Sequence, residues 1–461
     1  MRASIPDSST ICAVSTPAGQ GGIAVIRVSG GEAVSACNGI FTPAAGKPLK
    51  DRLSHTVVFG VVRFPDGGAI DEVLATVFRA PHSYTGEDTV EISCHGSTFI
   101  QREILKLLLA NGCRMALAGE FTQRAFLNGK LDLSQAEAVG DLIASSSEAA
   151  HRMAIRQMRG DFSNMLAQLR EKLLHFAAMI ELELDFGEED VEFANREQLM
   201  SLAGNIESVM TRLSDSFATG NAIKNGIPVA IIGETNAGKS TLLNRLLHED
   251  RAIVSDIHGT TRDAIEETIT ISGTLFRFSD TAGIRHTENE IEQLGIERTF
   301  RKMEEAVVIL WVMDLTEPSR YHKEIEQKLA QMQEKKVIVV YNKIDKISGK
   351  QQTDTPLYRE TVYISAKTGN GLEQLEVALI AAIPHFEEND IVVTNLRHYE
   401  ALTHALHAIR QVIDGLQNGV SGDLLAQDIR ECITYLGSIT GQHIHAEDVL
   451  ENIFKNFCIG K

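Results

Sequence analysis

The stretch IPVAIIGETNAGKSTLLNRLL, residues 227–247, decides the fold of a large part of the chain. It begins with an apolar run typical of a buried strand and ends with apolar residues at helical spacing. Between them lies GETNAGKST, Gly233–Thr241, which matches the pattern GxxxxGK[ST]. In this setting glycines let backbone N–H groups wrap phosphates at a helix N-terminus. The stretch therefore predicts a nucleotide-binding α/β domain.

Three further polar motifs follow strand-like runs downstream of this loop. They are DTAG (Asp280–Gly283), NKID (Asn342–Asp345) and SAK (Ser365–Lys367). A carboxylate at Asp345 can accept hydrogen bonds from N1–H and N2–H₂ of guanine, and adenine offers no such pair of donors. Strands alternating with helices favour a parallel, doubly wound sheet. Together the four motifs predict a Ras-like P-loop domain that binds GTP.

We expect GTP to contact residues of all four motifs, with the Lys239 ammonium on the β- and γ-phosphates and the Ser240 hydroxyl on Mg²⁺. Thr260 and Thr261, in the segment GTTRD, are both candidates for the threonine that joins Ser240 on this ion. The predicted contact set is Asn236, Ala237, Gly238, Lys239, Ser240, Thr241, Thr260, Thr261, Asp280, Thr281, Ala282, Gly283, Asn342, Lys343, Asp345, Ser365, Ala366 and Lys367.

The residue that orients the attacking water is not obvious, because Ile284 stands where Ras-type GTPases carry a glutamine. Glu292 is a candidate, and its alternative reading is an exposed glutamate at the start of a helix. The charge that develops between the β- and γ-phosphates also needs a neutralising group. Asn236 could hold a monovalent cation there, and Arg262 or Arg285 could serve instead.

Changes of pattern along the 461 residues predict an α+β and α/β multidomain protein. We expect an α+β domain at 1–130, a helical segment at 131–225 that begins with a capping box at Ser134 and Glu137, the GTPase domain at 226–384 and a second helical segment at 385–461. The two helical segments are expected to form one domain in which the GTPase domain is inserted.

Composition narrows the environment of the protein. No run of about 18 apolar residues predicts a membrane span, and the first residues lack the apolar core of a signal peptide, so we expect a cytoplasmic protein. Six cysteines without regular spacing favour reduced thiols. The net charge of −18 means that any RNA is gripped locally or through a second protein. The acidic run at residues 181–192 is either solvated or a docking surface for a basic partner.

The last residues, FCIGK (Phe457–Lys461), fit a prenylation motif poorly. Taken alone, Cys458 is expected to be a buried structural cysteine in the last helical turn. A zinc site built from Cys432, His443, His445 and Cys458 matches no common ligand spacing.

The motifs TNAGKS, GTTRD, DTAGIR, NKID and SAK, with TPAGQGGIAVIRVSG, SYTGEDTVEISCHG, GEFTQRAFLNGKLDLSQAEA and FCIGK, resemble the MnmE (TrmE) family over essentially the whole chain. Thr235 departs from the proline usual before the P-loop asparagine. The resemblance implies a homodimer that works with MnmG, an FAD protein, in a heterotetramer or larger complex. The pair would place an aminomethyl-type group on C5 of the wobble uridine of certain tRNAs.

The resemblance also assigns roles to individual residues. It adds Ser255 to the expected GTP contacts. It implies K⁺ on Asn236, Ser255, Ile257 and Thr260, Mg²⁺ on Ser240 and Thr261, and Glu292 as the residue that orients water. It implies a tetrahydrofolate derivative, 5-formyl- or 5,10-methylene-, as the one-carbon donor near Cys458. The Cys458 thiol would then be a candidate nucleophile whose pKa is lowered by nearby lysine. The matching folate-site residues are Arg27, Glu87, Lys130 and Lys461.

Two other functions share the GTPase motifs. One is a ribosome-assembly or signalling GTPase whose flanking domains are only binding modules. The other is a GTP-regulated, folate-dependent aminomethyltransferase that acts on a protein. The residues that separate these functions lie outside the GTPase domain, at Arg27, Glu87, Lys130 and the CIGK end.

Overall fold

The computed structural model describes most of the chain in two compact units. The described residues are 9–185, 196–234, 236–249, 266–280, 300–316, 322–332, 334–347, 360–383, 390–442, 453–454, 457 and 459–460. The first unit draws on residues up to 144, on 154–207 and on residues from 404 onward, and the second on 145–153 and 208–403.

The first unit contains a seven-stranded sheet with the order β3-β4-β5-β6-β2-β1-β7. The strands are β1 (Ile11–Val14), β2 (Gly21–Ser29), β3 (Phe41–Pro43), β4 (Thr56–Arg63), β5 (Ala69–Phe78), β6 (Thr89–Gly96) and β7 (Arg114–Met115). Neighbouring strands are antiparallel except β1 and β7. Helices α1 (Ala33–Ile40) and α2 (Thr98–Ala110) pack on the sheet, which confirms the α+β prediction.

The two faces of this sheet differ because side chains alternate along each strand. On the inner face, residues such as Ile26, Val58 and Val73 are buried in one apolar core. On the outer face, Phe59 of β4 lies opposite Leu74 of β5, and both side chains are exposed. Val57 and Ile23 add to this outer apolar patch, which we define as Ile23, Val57, Phe59 and Leu74.

Eleven further helices are found among the described residues. They are α3 (Glu120–Leu127), α4 (Leu133–Ala144), α5 (Glu148–Arg159), α6 (Asp161–Asp185), α7 (Arg196–Asp215), α8 (Phe217–Asn225), α9 (Lys239–Glu249), α10 (His322–Ala330), α11 (Leu372–Ala381), α12 (Leu396–Asn418) and α13 (Gly422–Thr440), and residues 300–305 are also helical. In the first unit α6 packs along α13, and Glu181 pairs with Arg430 across them.

The capping box of α4 lies two residues before the predicted position. The carboxylate of Asp132 accepts a hydrogen bond from the Gln135 backbone N–H at 2.8 Å, and the Gln135 amide oxygen accepts one from the Asp132 N–H at 2.9 Å. Ser134 and Glu137 are buried instead. The prediction of a box at those two residues was therefore wrong, because Asp132 already supplies the N-terminal cap.

The second unit contains a six-stranded sheet with the order β13-β12-β11-β8-β10-β9. The strands are β8 (Ile227–Ile232), β9 (Glu266–Ile271), β10 (Thr274–Asp280), β11 (Val308–Asp314), β12 (Lys336–Asn342) and β13 (Glu360–Tyr363). Apolar cores lie on both faces, as a doubly wound sheet requires. Five strands are parallel as predicted, whereas β9 is antiparallel to β10. The turn Ser272–Gly273 is too short for a crossover, which explains this difference.

The structure also tests the expectations about membrane spans and cysteines, within the residues that it describes. None of their helices is both long and apolar enough to cross a bilayer. Of the six cysteines, Cys12, Cys37, Cys94, Cys113 and Cys432 fall within the described part of the chain, where each is a buried free thiol.

Candidate functional site

The phosphate-binding loop leaves the end of β8 and leads into α9, whose first residue is Lys239. The buried Lys239 ammonium donates hydrogen bonds to the carbonyl oxygens of Gly233 and Glu234, both at 2.7 Å. The loop therefore curves around the Lys239 ammonium, which lies at the N-terminus of α9. Such an arrangement concentrates positive charge where a phosphate binds.

Asn342 joins three of the predicted motifs. Its side-chain N–H donates to the carbonyl oxygen of Ala237 at 2.8 Å, and its side-chain oxygen accepts from the backbone N–H of Lys343 and Ala366, at 2.8 and 2.9 Å. A Cβ on Gly238 would lie 2.2 Å from the Asn342 side-chain nitrogen, so only glycine fits there. Asn342 is thus a structural tie between the phosphate loop and the base loops.

Asp345 presents the carboxylate expected for guanine. Its Oδ1 accepts a hydrogen bond from the Ser365 hydroxyl at 2.6 Å, and this bond is the main cause that lowers the pKa of the exposed Asp345 carboxyl. The carboxylate is ionised at neutral pH and is held in one orientation. It can accept from two adjacent guanine N–H groups, which is the discrimination that the sequence predicts.

Asp314 is a site residue that the sequence reasoning missed. It ends β11 and forms an ion pair with the Lys343 ammonium. Burial raises the pKa of the Asp314 carboxyl, but hydrogen bonds from Lys343 and Thr316 outweigh it and leave the pKa lowered. Its position at the end of a buried strand, like that of Asn342, was the signal that could have identified it.

The predicted nucleotide residues fall into two groups. Asn236, Ala237, Gly238, Lys239, Ser240, Thr241, Asp280, Asn342, Lys343, Asp345, Ser365, Ala366 and Lys367 are described and follow the carboxyl ends of β8, β10, β12 and β13. Outside the described residues lie Thr235, Ser255, Ile257, Thr260, Thr261, Arg262, Thr281, Ala282, Gly283, Ile284, Arg285 and Glu292.

Arg27 anchors a second cluster, in the N-terminal part of the first unit. Its guanidinium lies 5.2 Å from the ring centre of Tyr84 and 5.6 Å from that of Phe121, and its Nε donates to Glu91 at 2.9 Å. Burial raises the pKa of Tyr84, whose hydroxyl shares a hydrogen bond with Thr122. The two rings and the Glu91 carboxylate hold the Arg27 guanidinium in one orientation.

Glu87 and Lys130 occupy neighbouring loops of the same unit. Glu87 accepts from the Ser29 hydroxyl at 2.8 Å and pairs with Arg124 at 3.1 Å, and Ser29 is two residues from Arg27 on β2. The Lys130 ammonium donates to the carbonyl oxygen of Pro81 at 3.0 Å. Arg124 was not singled out from the sequence, although it lies within the quoted segment GEFTQRAF. Its ion pair gives Glu87 a structural role in addition to any ligand contact.

The C-terminal segment lies against the N-terminal sheet. Ile459 forms an isolated β-bridge with Ala118, and the Ser15 hydroxyl donates to the carbonyl oxygen of Gly460 at 2.9 Å. Ser15 follows β1, whose Ala13 is paired with Arg27. The segment therefore ends close to the strand that carries Arg27. Cys458 and Lys461 themselves lie outside the described residues.

The alternative zinc site gains nothing from Cys432. Its thiol is buried in α13 and donates to the carbonyl oxygen of Ala405 at 3.4 Å. Burial raises the pKa of the Cys432 thiol to about 12. His443, His445 and Cys458 are not among the residues that the structure describes.

Known proteins match both parts of the chain. The family models "GTP-binding protein TrmE N-terminus" and "MnmE helical domain" match residues 10–130 and 133–458. A tRNA modification GTPase MnmE of Bacteroides thetaiotaomicron is 57% identical, over 98% of this chain and 99% of that protein. One from Flavobacterium johnsoniae is 53% identical over 98% and 99%. A crystal structure of Era from Aquifex aeolicus is 34% identical over 39% of this chain and 65% of that chain, with a TM-score of 0.28.

Proposed function

The chain belongs to the MnmE family and is a tRNA modification GTPase, and from this premise we propose the reaction that it serves. With MnmG, in the cytoplasm, it places an aminomethyl-type group on C5 of the wobble uridine of certain tRNAs. A tetrahydrofolate derivative, 5-formyl- or 5,10-methylene-, supplies the carbon. The observation that carries the proposal is the docking of residues 459–460 beside the strand of Arg27, because it joins the two most family-specific motifs outside the GTPase domain.

The GTPase domain supplies its own binding and orienting groups. Lys239 holds the phosphates, Asp345 holds guanine, and the exposed Ser240 hydroxyl at the start of α9 suits a Mg²⁺ ligand together with Thr261. Asn236, which lies within the phosphate-binding loop at φ 64°, would hold K⁺ with Ser255, Ile257 and Thr260. Such a cation neutralises charge between the β- and γ-phosphates. Glu292 orients the attacking water, which Ile284 cannot do.

Hydrolysis in matched salts tests the last two roles. We expect the natural chain to hydrolyse GTP at least tenfold faster in KCl than in NaCl at equal ionic strength. Glu292→Ala is expected to lower the single-turnover rate at least 100-fold in both salts while GTP affinity stays unchanged, because general-base and positioning groups contribute about 10²–10⁴-fold. Equal rates in the two salts contradict the cation site, and normal turnover by Glu292→Ala contradicts its role.

The Arg27 cluster provides the chemistry that a folate requires. Glu87 is a carboxylate for amide-like pterin donors, and Lys130 and Lys461 suit a glutamyl carboxylate. Arg27 and Glu87 already have protein partners in Glu91 and Arg124, which fixes their orientation before a ligand binds. Cys458 would then lie beside the one-carbon unit, either as a nucleophile or as a structural thiol.

A homodimer follows from the family and is supported by the outer apolar patch at Ile23, Val57, Phe59 and Leu74. Exposed apolar groups on an otherwise complete sheet mark an interaction surface. We therefore propose that a second copy covers this face, and that MnmG joins in a heterotetramer or larger complex. Light scattering of the purified chain should give twice the monomer mass of 50.5 kDa. A monomer at micromolar concentration contradicts the homodimer.

A ribosome-assembly or signalling GTPase, which shares the GTPase motifs, does not fit the family match over nearly the whole chain. Such a GTPase would not need the Arg27 cluster or the docking of residues 459–460 against Ser15 and Ala118. A folate-dependent enzyme that modifies a protein would use both features, so only the identity of the product separates it from a tRNA-modifying enzyme.

Nucleoside mass spectrometry of tRNA is the experiment that decides between these functions. We expect a strain that lacks the protein to lose a 5-substituted wobble uridine, and the natural chain to restore it. Cys458→Ser should restore less than a tenth of it if the thiol acts as a nucleophile. Full restoration by Cys458→Ser assigns the thiol a structural role. An unchanged nucleoside profile in the deletion strain contradicts the proposed function.

A further inference from the structure

The loop between β3 and β4, residues 44–55, carries three basic side chains and a single carboxylate. The basic residues are Lys47, Lys50 and Arg52, which we call the loop cations, and the carboxylate is Asp51. Lys47 and Lys50 are exposed, and neither forms an ion pair with a residue that the structure describes. The net charge of the chain is −18, so this loop is a local exception that attracts anions to the β3 edge of the sheet.

Internal contacts hold this loop in one conformation. Nε and Nη2 of Arg52 donate to the carbonyl oxygens of Lys47 and Ala45, at 2.9 and 3.1 Å, so these partners of the guanidinium are uncharged. Leu49, next to Lys50, is fully buried in the apolar core of the sheet and anchors the loop. The loop cations are therefore positioned before a ligand arrives, which lowers the entropy cost of binding.

Hydrogen bonds connect the loop with the turn that holds Lys130. Arg79, which directly follows β5, donates from Nη2 to the Lys50 carbonyl oxygen at 2.8 Å and pairs through Nη1 with Asp88 at 2.8 Å. Two residues farther along, the Pro81 carbonyl oxygen accepts from the Lys130 ammonium at 3.0 Å. The surface thus continues without a break from Lys130, across the turn after β5, to the loop cations.

Lys130 also adjoins the carboxylate that we propose for the pterin. A Cβ on Gly86 would lie 3.4 Å from Lys130 Cγ, so the lysine stem packs against the residue that precedes Glu87. Lys130 therefore contacts both the carboxylate site and the turn that is bonded to the loop. A folate that meets Glu87 with its pterin and Lys130 with its first glutamate has the loop cations next in line for any further glutamates.

We propose that the loop cations bind the additional carboxylates of a folate whose tail consists of several γ-linked glutamates. The inference rests on the proposed function and specifies which form of the one-carbon donor the site takes. Each added glutamate brings one carboxylate, with which an ammonium or a guanidinium forms a charge-assisted hydrogen bond. Several such contacts in series favour a long anionic tail over a single glutamate.

Equilibrium binding of 5-formyltetrahydrofolate with one glutamate and with five glutamates to the full chain tests the proposal. We expect the pentaglutamate to bind about tenfold tighter at low salt, because each exposed ion pair strengthens binding by about fivefold at most. Raising KCl from about 0.05 M to about 0.5 M should reduce this ratio of affinities, because salt screens exposed charges.

The double variant Lys47→Met, Lys50→Met should reduce the ratio to less than about twofold, because it removes the two exposed ammonium groups that the tail would meet. Its affinity for the monoglutamate and its GTP hydrolysis should stay unchanged. The matched control is Lys106→Met, Lys172→Met, which removes two exposed lysine charges elsewhere in the same unit and should keep the ratio of the natural chain.

Equal binding of the two folates by the natural chain overturns the tail site, and so does an equal loss of the ratio in the control variant. If Lys47→Met, Lys50→Met keeps the ratio but weakens the binding of labelled tRNA and its salt dependence, the loop binds RNA phosphates and the tail assignment is overturned. In these cases the monoglutamate still binds, so the proposed folate site stands. If neither folate binds the natural chain, the proposed one-carbon donor and the inference fall together.

Discussion

Asp345→Asn is expected to lower GTP affinity 100-fold or more and to make xanthosine triphosphate the preferred nucleotide. The Asp345 carboxylate accepts from two guanine N–H groups, and hydrogen bonds to a charged group contribute about 1.5–3 kcal/mol each. The replacement amide turns one acceptor into a donor that faces the guanine amino group. Xanthine carries a carbonyl at that position, so the amide can donate to it and still accept from N1–H.

Fluorescence titration with labelled GTP and xanthosine triphosphate measures this reversal. The bond from the Ser365 hydroxyl to Oδ1 holds the side chain in place, so the exchange should occur without repacking. Glu373→Gln is the matched control, because it removes an exposed carboxylate on α11 of the same unit and should leave both affinities within twofold. If Asp345→Asn keeps the natural preference for GTP, Asp345 does not read the base.

Gly460→Val is expected to reduce wobble-uridine modification at least tenfold while GTP hydrolysis is retained. Gly460 has φ +96°, and a Cβ there would lie 2.2 Å from the carbonyl oxygen of Val14. The contact is with backbone of β1, which cannot yield as a flexible side chain could. Backbone strain of about 1–3 kcal/mol and the clash would release the segment from Ser15 and Ala118.

The nucleoside assay in the deletion strain measures this loss, and GTP turnover is followed on the purified variant. Ile459→Ala is the control, because the Ile459 side chain is 61% exposed and its β-bridge uses only backbone atoms. It should retain at least half of the natural modification. Full modification by Gly460→Val would show that the docked position of residues 459–460 is not required.

The site residues whose position is set by a single short segment of the chain were predictable from the sequence. Lys239, Asn342 and Asp345 each lie at or shortly after the end of a strand within a short motif, so a single segment specifies their position. Asp314 and Arg124 were missed because their partners, Lys343 and Glu87, are 29 and 37 residues away. No periodicity records such a pairing. The framing of Arg27 by Tyr84 and Phe121 is equally a product of tertiary packing.

The fold shows the same division. The spacing of apolar residues predicted the strands and helices. The structure confirms the class of both sheets. The direction of β9 was set by a two-residue turn, and the start of α4 by the reach of the Asp132 carboxylate to Gln135. Both outcomes depend on local hydrogen bonding that apolar periodicity does not report.

The contact between Ser15 and Gly460 joins two residues that are synthesised at very different times, so it can form only after residue 460 has been made. The two residues are 445 positions apart, and at roughly 5–20 residues per second their synthesis is separated by about 20–90 s. The strands around Arg27 can fold early, and the GTPase domain follows before residue 459 exists. A chain released before residue 459 is made therefore contains the GTPase domain but lacks the contacts with Ser15 and Ala118. The docked position of residues 459–460 can thus form only after translation has passed the whole GTPase domain.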